Sequence, residues 1–288
     1  MPLPPSSAGA GDNAVRWSAL LIASLSSFLT PFMLSSTNIA LPAIGDYFKA
    51  DAVLLSWVAT SYLLAAAVAL MPFGKLADIH GRKRIFLLGM LLFTLSSLLC
   101  GLARSVEALV LFRVFQGIGI AMIFATGIAI LTSVFPASER GRVLGITVAA
   151  VYSGLACGPL IGGWLTQQLS WRSVFLIHTP LGLGLILVTL AKLKGEWTGA
   201  SGETFDRTGT LVYALSIVAL MCGVSYLPGA GAGLLMGAGC CGLALFAWWE
   251  MRVTHPVFEV RLFPATGYSH FRAWLRSSTT APPSGSLS

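Results

Sequence analysis

Arg113 is the one charged side chain well inside a long apolar stretch of the sequence, and Gln116 and Gly117 follow it on the same helical face. A charge is costly in hydrocarbon, so Arg113 must face protein or water, or extend to the membrane surface. A face that combines a cation, an amide and a small residue favours burial in a helix bundle or a cavity. Arg113 and Gln116 are therefore candidates for a functional site inside the protein.

Ion-coupled chemistry inside a membrane needs a titratable group. His178 is the one candidate besides Arg113 within the apolar stretches, and we interpret it as a hydrogen-bonded packing residue. The sequence has no G-x-S-x-G, no H-E-x-x-H and no phosphate loop, and its cysteines have no metal-ligand spacing with a histidine. We therefore predict no enzymatic activity, no cofactor and no metal site.

The string G-K-L-A-D-I-H-G-R-K-R, from Gly74 to Arg84, connects two apolar stretches. The chain must reverse here, and Gly74 and Gly81 permit a tight turn. Asp78 and Arg82 lie one helical turn apart and can form an ion pair. The alternative is that the basic residues only anchor the loop at one membrane surface.

Gly154, Gly158 and Gly162 recur every fourth residue and predict a smooth stripe on one helix. Such a stripe lets a neighbouring helix approach closely in a membrane. Pro159 lacks an N–H, so the carbonyl of Leu155 loses its helical partner and the helix can bend there. The alternative is that this stripe is only a static packing contact between two helices.

The elements that must position these residues are membrane-spanning helices. Of 288 residues, 56% are hydrophobic and 10% are charged, with a mean hydropathy of +0.81, whereas soluble domains are roughly 25% charged. Runs of about 20 apolar residues, long enough to cross a bilayer, recur along the chain. We predict an all-α polytopic membrane protein with spans near 16–41, 54–73, 85–103, 108–135, 142–166, 172–192, 209–227 and 232–250.

The basic residues in the loops predict the orientation, because cytoplasmic loops carry an excess of Lys and Arg. A cytoplasmic N-terminus in the inner or plasma membrane places the larger group inside. We therefore interpret the net charge of +7 as a sign of membrane topology. We predict no nucleic-acid partner. The inside group is Arg16, Lys75, Arg82, Lys83, Arg84, Arg140, Arg142, Lys192, Lys194, Arg207, Arg252 and Arg261, and the outside group is Lys49, Arg104 and Arg172.

The Gly74–Arg84 string resembles the signature loop of the major facilitator superfamily at every fixed position. The segment R-V-F-Q-G-I-G from Arg113 resembles the span-four motif of that superfamily. The segment G-L-A-C-G-P-L-I-G-G from Gly154 resembles the span-five motif of its antiporter branch, and N-I-A-L-P from Asn38 closes span one as in drug:proton antiporters. The resemblance covers about residues 16–263.

The resemblance implies a transport cycle in which one six-helix half rocks against another. It implies that Asp78 and Arg82 hold a conformation between the halves, and that the bend at Pro159 governs which side opens. We expect a central cavity lined by spans one, two, four and five, with Asn38, Arg113, Gln116 and Gly158 on its wall. The implied partners are a small amphipathic drug-like substrate, the lipid bilayer and protons. Antiporters of this family often have an aspartate where this chain has Met33.

The region after span six resembles the insertion of the fourteen-span drug antiporters. We predict a disordered N-terminus at 1–15, a six-span half at 16–195, a loop and two further spans at 196–263, and a disordered tail at 264–288. The family continues with about six more spans, so we expect a truncated chain. A shifted reading frame between 273 and 284 permits a string that resembles span nine. The alternatives are a natural eight-span protein with a flexible tail, or a truncated fragment that does not transport.

Overall fold

The computed structural model describes residues 10–253 except 194, 228 and 230, together with 256 and 257, and of residues 10–12 only the backbone. Within these residues, eight helical segments are long and apolar enough to cross a membrane, which confirms the predicted spans. The sixth span consists of two consecutive helices, α6 and α7. The helices are α1 (Ala10–Phe48), α2 (Ala52–His80), α3 (Arg82–Gly101), α4 (Val106–Val134), α5 (Ala137–Gln168), α6 (Trp171–Leu176), α7 (His178–Lys192), α8 (Arg207–Ser225) and α9 (Ala232–Glu250).

The first six spans form a bundle that rests on three extensive helix contacts. Helix α1 packs along α5, and α4 packs along both α2 and α3, while α6 and α7 close the side formed by α3 and α1. Gly119 makes the close approach of α4 to α3 possible, because a Cβ atom there would lie 2.7 Å from the Phe93 nitrogen. This close approach by small residues is the usual way for helices to pack in lipid.

Several helices are longer than the predicted spans. Helix α1 begins at Ala10, so residues 10–15 are helical rather than disordered. Helix α2 continues to His80, so Gly74 lies inside a helix and does not take part in the turn. Gly81 alone makes the reversal, with φ of 115°, a value that L residues with side chains rarely adopt. The predicted tail at 264–288 lies outside the described residues.

Helices α8 and α9 form a hairpin that is attached to the outside of α2. The Tyr213 hydroxyl donates to the Ala67 carbonyl at 3.0 Å and fixes α8 on α2. Asp206 caps α8 by accepting from the Gly209 nitrogen at 3.0 Å, and its second oxygen accepts from the Trp249 indole at 2.8 Å. The two additional spans are therefore joined to the first half by side-chain and backbone contacts.

Gly239→Ala should separate α8 from α9. A Cβ atom at Gly239 would lie 2.8 Å from the Leu220 nitrogen and 2.9 Å from the Ser216 carbonyl, and crowding of this kind costs about 1–3 kcal/mol. Gly237→Ala is the matched control, since it gains the same helix propensity and meets nothing within 4 Å. We expect thermal unfolding in detergent, followed by monodisperse elution, to begin at a lower temperature only for Gly239→Ala. Equal behaviour of the two variants would contradict the α8–α9 packing.

Candidate functional site

The guanidinium of Arg113 is fully buried inside the bundle, where it joins three helices. Its Nε donates to the Val58 carbonyl of α2 at 2.9 Å, and one terminal nitrogen donates to Gln116 Oε1 at 2.6 Å. Gln116 Nε2 then donates to the Ser97 hydroxyl of α3 at 2.7 Å, and Ser97 donates to the Phe93 carbonyl. The predicted face of Arg113 and Gln116 is thus turned toward α2 and α3.

No carboxylate of the described residues pairs with Arg113. The guanidinium carbon instead lies 4.1 Å from the centre of the Tyr62 ring, and the Phe175 ring is 6.0 Å away. A cation over an aromatic face is stabilised more strongly when both are desolvated. One terminal nitrogen, Nη2, has no hydrogen-bond partner among the described residues. The site therefore carries a net positive charge.

An apolar cavity of about 730 Å³ lies between α1, α2 and α4. The expectation that span five lines it is wrong for this conformation, because no α5 residue contributes. Asn38 is exposed elsewhere, and Arg113, Gln116 and Gly158 are also absent from the wall. The wall contains no charged residue and consists of Thr30, Pro31, Leu34, Tyr62, Leu63, Ala66, Ala67, Leu70, Met71, Gly74, Ile120, Ala121, Phe124, Ala125, Ile128 and Ala129.

Tyr62 connects this cavity to the buried cation. It lines the cavity, and its ring also contacts the guanidinium of Arg113. Tyr62 is not among the residues that the sequence predicts for the site. The signal that could have identified it is weak, since one aromatic residue in an apolar helix is most often a packing residue.

The glycine stripe of α5 packs directly on α1. A Cβ atom at Gly162 would lie 2.7 Å from the Ser36 Cα, so the two helices meet at backbone distance. The Ser35 hydroxyl donates to the Leu155 carbonyl at 3.0 Å, and Ser36 donates to the Gly158 carbonyl at 3.2 Å. The carbonyl that Pro159 deprives of its helical partner is therefore satisfied by α1.

The Asp78–Arg82 pair forms as the spacing predicts. Arg82 Nε and Nη2 donate to one Asp78 oxygen at 2.8 and 2.7 Å. Its remaining terminal nitrogen donates to the Ala129 carbonyl at 3.0 Å and to the Ser133 hydroxyl at the end of α4. The pair thus joins the α2–α3 turn to α4.

Residues 196–203, here named the crossing segment, lie across this turn. The Asp78 carbonyl accepts from the nitrogens of Gly199 and Ala200 at 3.0 and 2.9 Å. Lys75 and Glu203 form an ion pair at 2.5 Å. The sequence predicts only a loop here, because glycine, serine and isolated charges carry no pattern that indicates a docking partner.

Further backbone and ionic contacts fix the crossing segment to the start of α3. The Arg82 nitrogen donates to the Trp197 carbonyl at 2.9 Å, and the Lys83 nitrogen donates to Glu196 Oε1 at 2.8 Å. Arg84 lies 3.7 Å from the same carboxylate, with a mostly exposed side chain. The basic residues of the turn thus bind protein groups as well as marking one membrane surface.

His178 is fully buried between Phe32 and Phe93, whose ring centres lie 5.1 and 6.1 Å from its own. Its Nδ1 lies 2.9 Å from the Val174 carbonyl, one turn earlier in the chain. It does not line the cavity. This environment agrees with its interpretation as a hydrogen-bonded packing residue.

Comparison with known proteins now identifies the family. The model of the Major Facilitator Superfamily matches residues 23–204. The chain belongs to the major facilitator superfamily. The bacterial homologue of the human lysosomal transporter Spinster, solved in an inward-facing and unoccupied conformation, shares the fold, with a TM-score of 0.52, 20% identity, and coverage of 85% of this chain and 62% of that chain.

Curated relatives of this superfamily member carry names that refer to resistance and export. Multidrug resistance protein Stp of Mycobacterium tuberculosis is 34% identical over 263 residues, which cover 89% of this chain and 49% of the relative. Cephamycin export protein CmcT of Amycolatopsis lactamdurans is 34% identical over 274 residues, covering 92% and 56%. The chain spans about half the length of these relatives. The family prediction and the all-α multi-pass membrane fold are confirmed.

Gly162→Ala should weaken the α1–α5 contact. The added methyl group would collide with the Ser36 backbone, at a cost of about 1–3 kcal/mol that exceeds the gain in helix propensity. Gly145→Ala on the same helix is the control, because nothing lies within 4 Å of its Cβ position. The free energy of unfolding, measured by SDS titration in mixed micelles, should fall only for Gly162→Ala. If both substitutions raise it equally, the close seam does not exist.

Proposed function

We propose that this chain supplies one side of the transport pathway of a secondary active exporter of small amphipathic compounds. The observation that carries the proposal is that one residue, Ala129, contacts both the cavity and the Asp78–Arg82 ion pair. Ala129 lines the cavity, and its carbonyl accepts the hydrogen bond of Arg82. A change in the Asp78–Arg82 pair therefore acts directly on one end of the cavity.

Alternating access supplies the mechanism for such a site. One half rocks against an opposed half around a site near the bilayer midplane. The described residues form one six-helix bundle and the α8–α9 hairpin, which leaves the cavity wall of α1, α2 and α4 to face a second half. The names of the relatives, which refer to multidrug resistance and cephamycin export, support outward movement of drug-like molecules.

The proposal also includes protons as the coupling ion and a defined orientation in the membrane. The antiporter-type span-five motif supports protons as the coupling ion. Met33, which is buried, stands where antiporters of this family often have an aspartate, so we propose that another group carries the proton. The asymmetry of basic residues supports a cytoplasmic N-terminus in the inner or plasma membrane. In this orientation, the Asp78–Arg82 pair and the crossing segment lie on the cytoplasmic side.

Reconstitution tests the function. The chain is placed in vesicles alone, or together with the second half of the Stp relative expressed as a separate polypeptide, and movement of a fluorescent drug is followed under an imposed pH gradient. We expect movement that depends on the gradient only when both halves are present, because alternating access needs two opposed halves. Equal movement by the chain alone would show that it transports unaided. Absence of movement in a correctly assembled pair would contradict the exporter proposal.

Asp78→Asn should lower transport by the assembled pair. The substitution keeps the size of the side chain but removes the charge that binds Arg82 Nε and Nη2, and loss of about 1.4 kcal/mol corresponds to roughly tenfold. Glu139→Gln is the control, since its half-exposed carboxylate lies 4.0 Å from Arg16 and neither residue lines the cavity. Flux is compared at matched membrane levels. Unchanged flux in Asp78→Asn would show that the turn serves only to set the membrane topology.

A further inference from the structure

We propose that the cavity selects hydrophobic monoanions, such as aromatic sulfonates and carboxylates, over neutral and cationic compounds of the same shape. This inference rests on the proposed function and names the substrate class of its cavity. It depends on three features of the described residues: an uncompensated buried cation behind the wall, two buried hydrogen-bond donors beside it without partners, and an apolar lining.

The first feature is the charge of Arg113. The guanidinium is fully buried and lies 4.1 Å from the ring centre of Tyr62, which lines the cavity. A ligand on the cavity side of this ring would lie roughly 8 Å from the charge. At an effective dielectric constant of about 20, one unit charge at that distance changes affinity by roughly tenfold or more. The potential therefore attracts anions and repels cations.

No acidic side chain of the described bundle offsets this charge near the cavity. The lining is free of carboxylates, and Arg113 forms no ion pair with any described residue. The described carboxylates of the first six spans lie at helix ends and in turns, at Asp46, Asp51, Asp78, Glu107 and Glu139. The cation therefore acts on the cavity without local cancellation.

The second feature is a pair of buried donors without partners. The Tyr62 hydroxyl and Nη2 of Arg113 form no hydrogen bond with any described residue. An unsatisfied buried donor is costly, and a charged acceptor makes the strongest partner for it. Both atoms are buried and closed off from the cavity, so they bind no acceptor in it and leave the charge of Arg113 unneutralised behind the wall.

The third feature is the apolar remainder of the cavity. Aliphatic side chains and Phe124 form most of the wall, and the volume of about 730 Å³ fits a drug-sized molecule. A small, strongly hydrated anion has no counterpart for its other oxygens in such a lining. The preferred ligand therefore combines one anionic group with an aromatic or aliphatic body.

A matched series of probes tests the order of affinities. The full chain is placed in phosphatidylcholine nanodiscs, whose lipids carry no net charge, and titrated with 1-anilinonaphthalene-8-sulfonate, with uncharged N-phenyl-1-naphthylamine, and with its trimethylammonium analogue. Binding is the fluorescence difference from empty discs at equal lipid. We expect the sulfonate to bind roughly tenfold more tightly than the neutral probe, and the cation to bind more weakly than both.

Two variants distinguish the causes. Tyr62→Phe keeps the ring on Arg113 and removes only the buried hydroxyl, so the order of affinities should not change. Leu34→Glu places a carboxylate on the cavity wall and should reverse the order of anion and cation. Both variants are compared after monodisperse elution.

Equal affinities of the three probes, preference for the cation, or binding no greater than in empty discs would overturn the inference. An unchanged order of affinities in Leu34→Glu would also overturn it, because the probes would then bind outside this cavity. Failure of gradient-driven transport with the order of affinities intact would contradict the exporter proposal alone. The two proposals are therefore separately testable.

Discussion

The arrangement of α2, α3 and α4 depends on the hydrogen bonds of the buried Arg113 guanidinium. In a low-dielectric interior, a charge that loses its hydrogen bonds costs far more than a neutral group. Its donors reach the Val58 carbonyl of α2 and, through Gln116, the Ser97 hydroxyl of α3. Any displacement of one helix against the others breaks part of this network, so the three helices hold one relative position.

The cavity lies between the rigid unit of α2, α3 and α4 and the separate contact of α1 with α5. Helix α1 is held on α5 by glycine contacts and by the hydroxyls of Ser35 and Ser36, while α2 and α4 are held together by Arg113. The space between the two units is the apolar cavity. At one end of this space, Arg82 binds Ala129, and the crossing segment covers the turn that carries Arg82.

The number of spans and the Asp78–Arg82 pair could be predicted from sequence because each depends on local pattern. Apolar length defines a span, and a spacing of four residues brings two charges together on a helix. The partner of the Leu155 carbonyl could not be predicted, since Ser35 is 120 positions away along the chain. The direction of Arg113 also depends on tertiary contacts, and small changes in helix rotation decide whether such a face meets a cavity or a neighbouring helix. The prediction that Gly74 takes part in the turn was wrong, because a glycine permits a turn but does not require one.

A double-substitution cycle between Arg113 and Gln116 tests the central claim most directly. The free energy of unfolding is measured in mixed micelles for Arg113→Met, Gln116→Leu and the combined variant. Removal of Gln116 alone leaves a buried charge without its partner, whereas removal of both groups leaves an apolar contact. We expect that adding Arg113→Met recovers much of the stability lost in Gln116→Leu. Additive losses would contradict it, because they would show that the cation does not depend on this network.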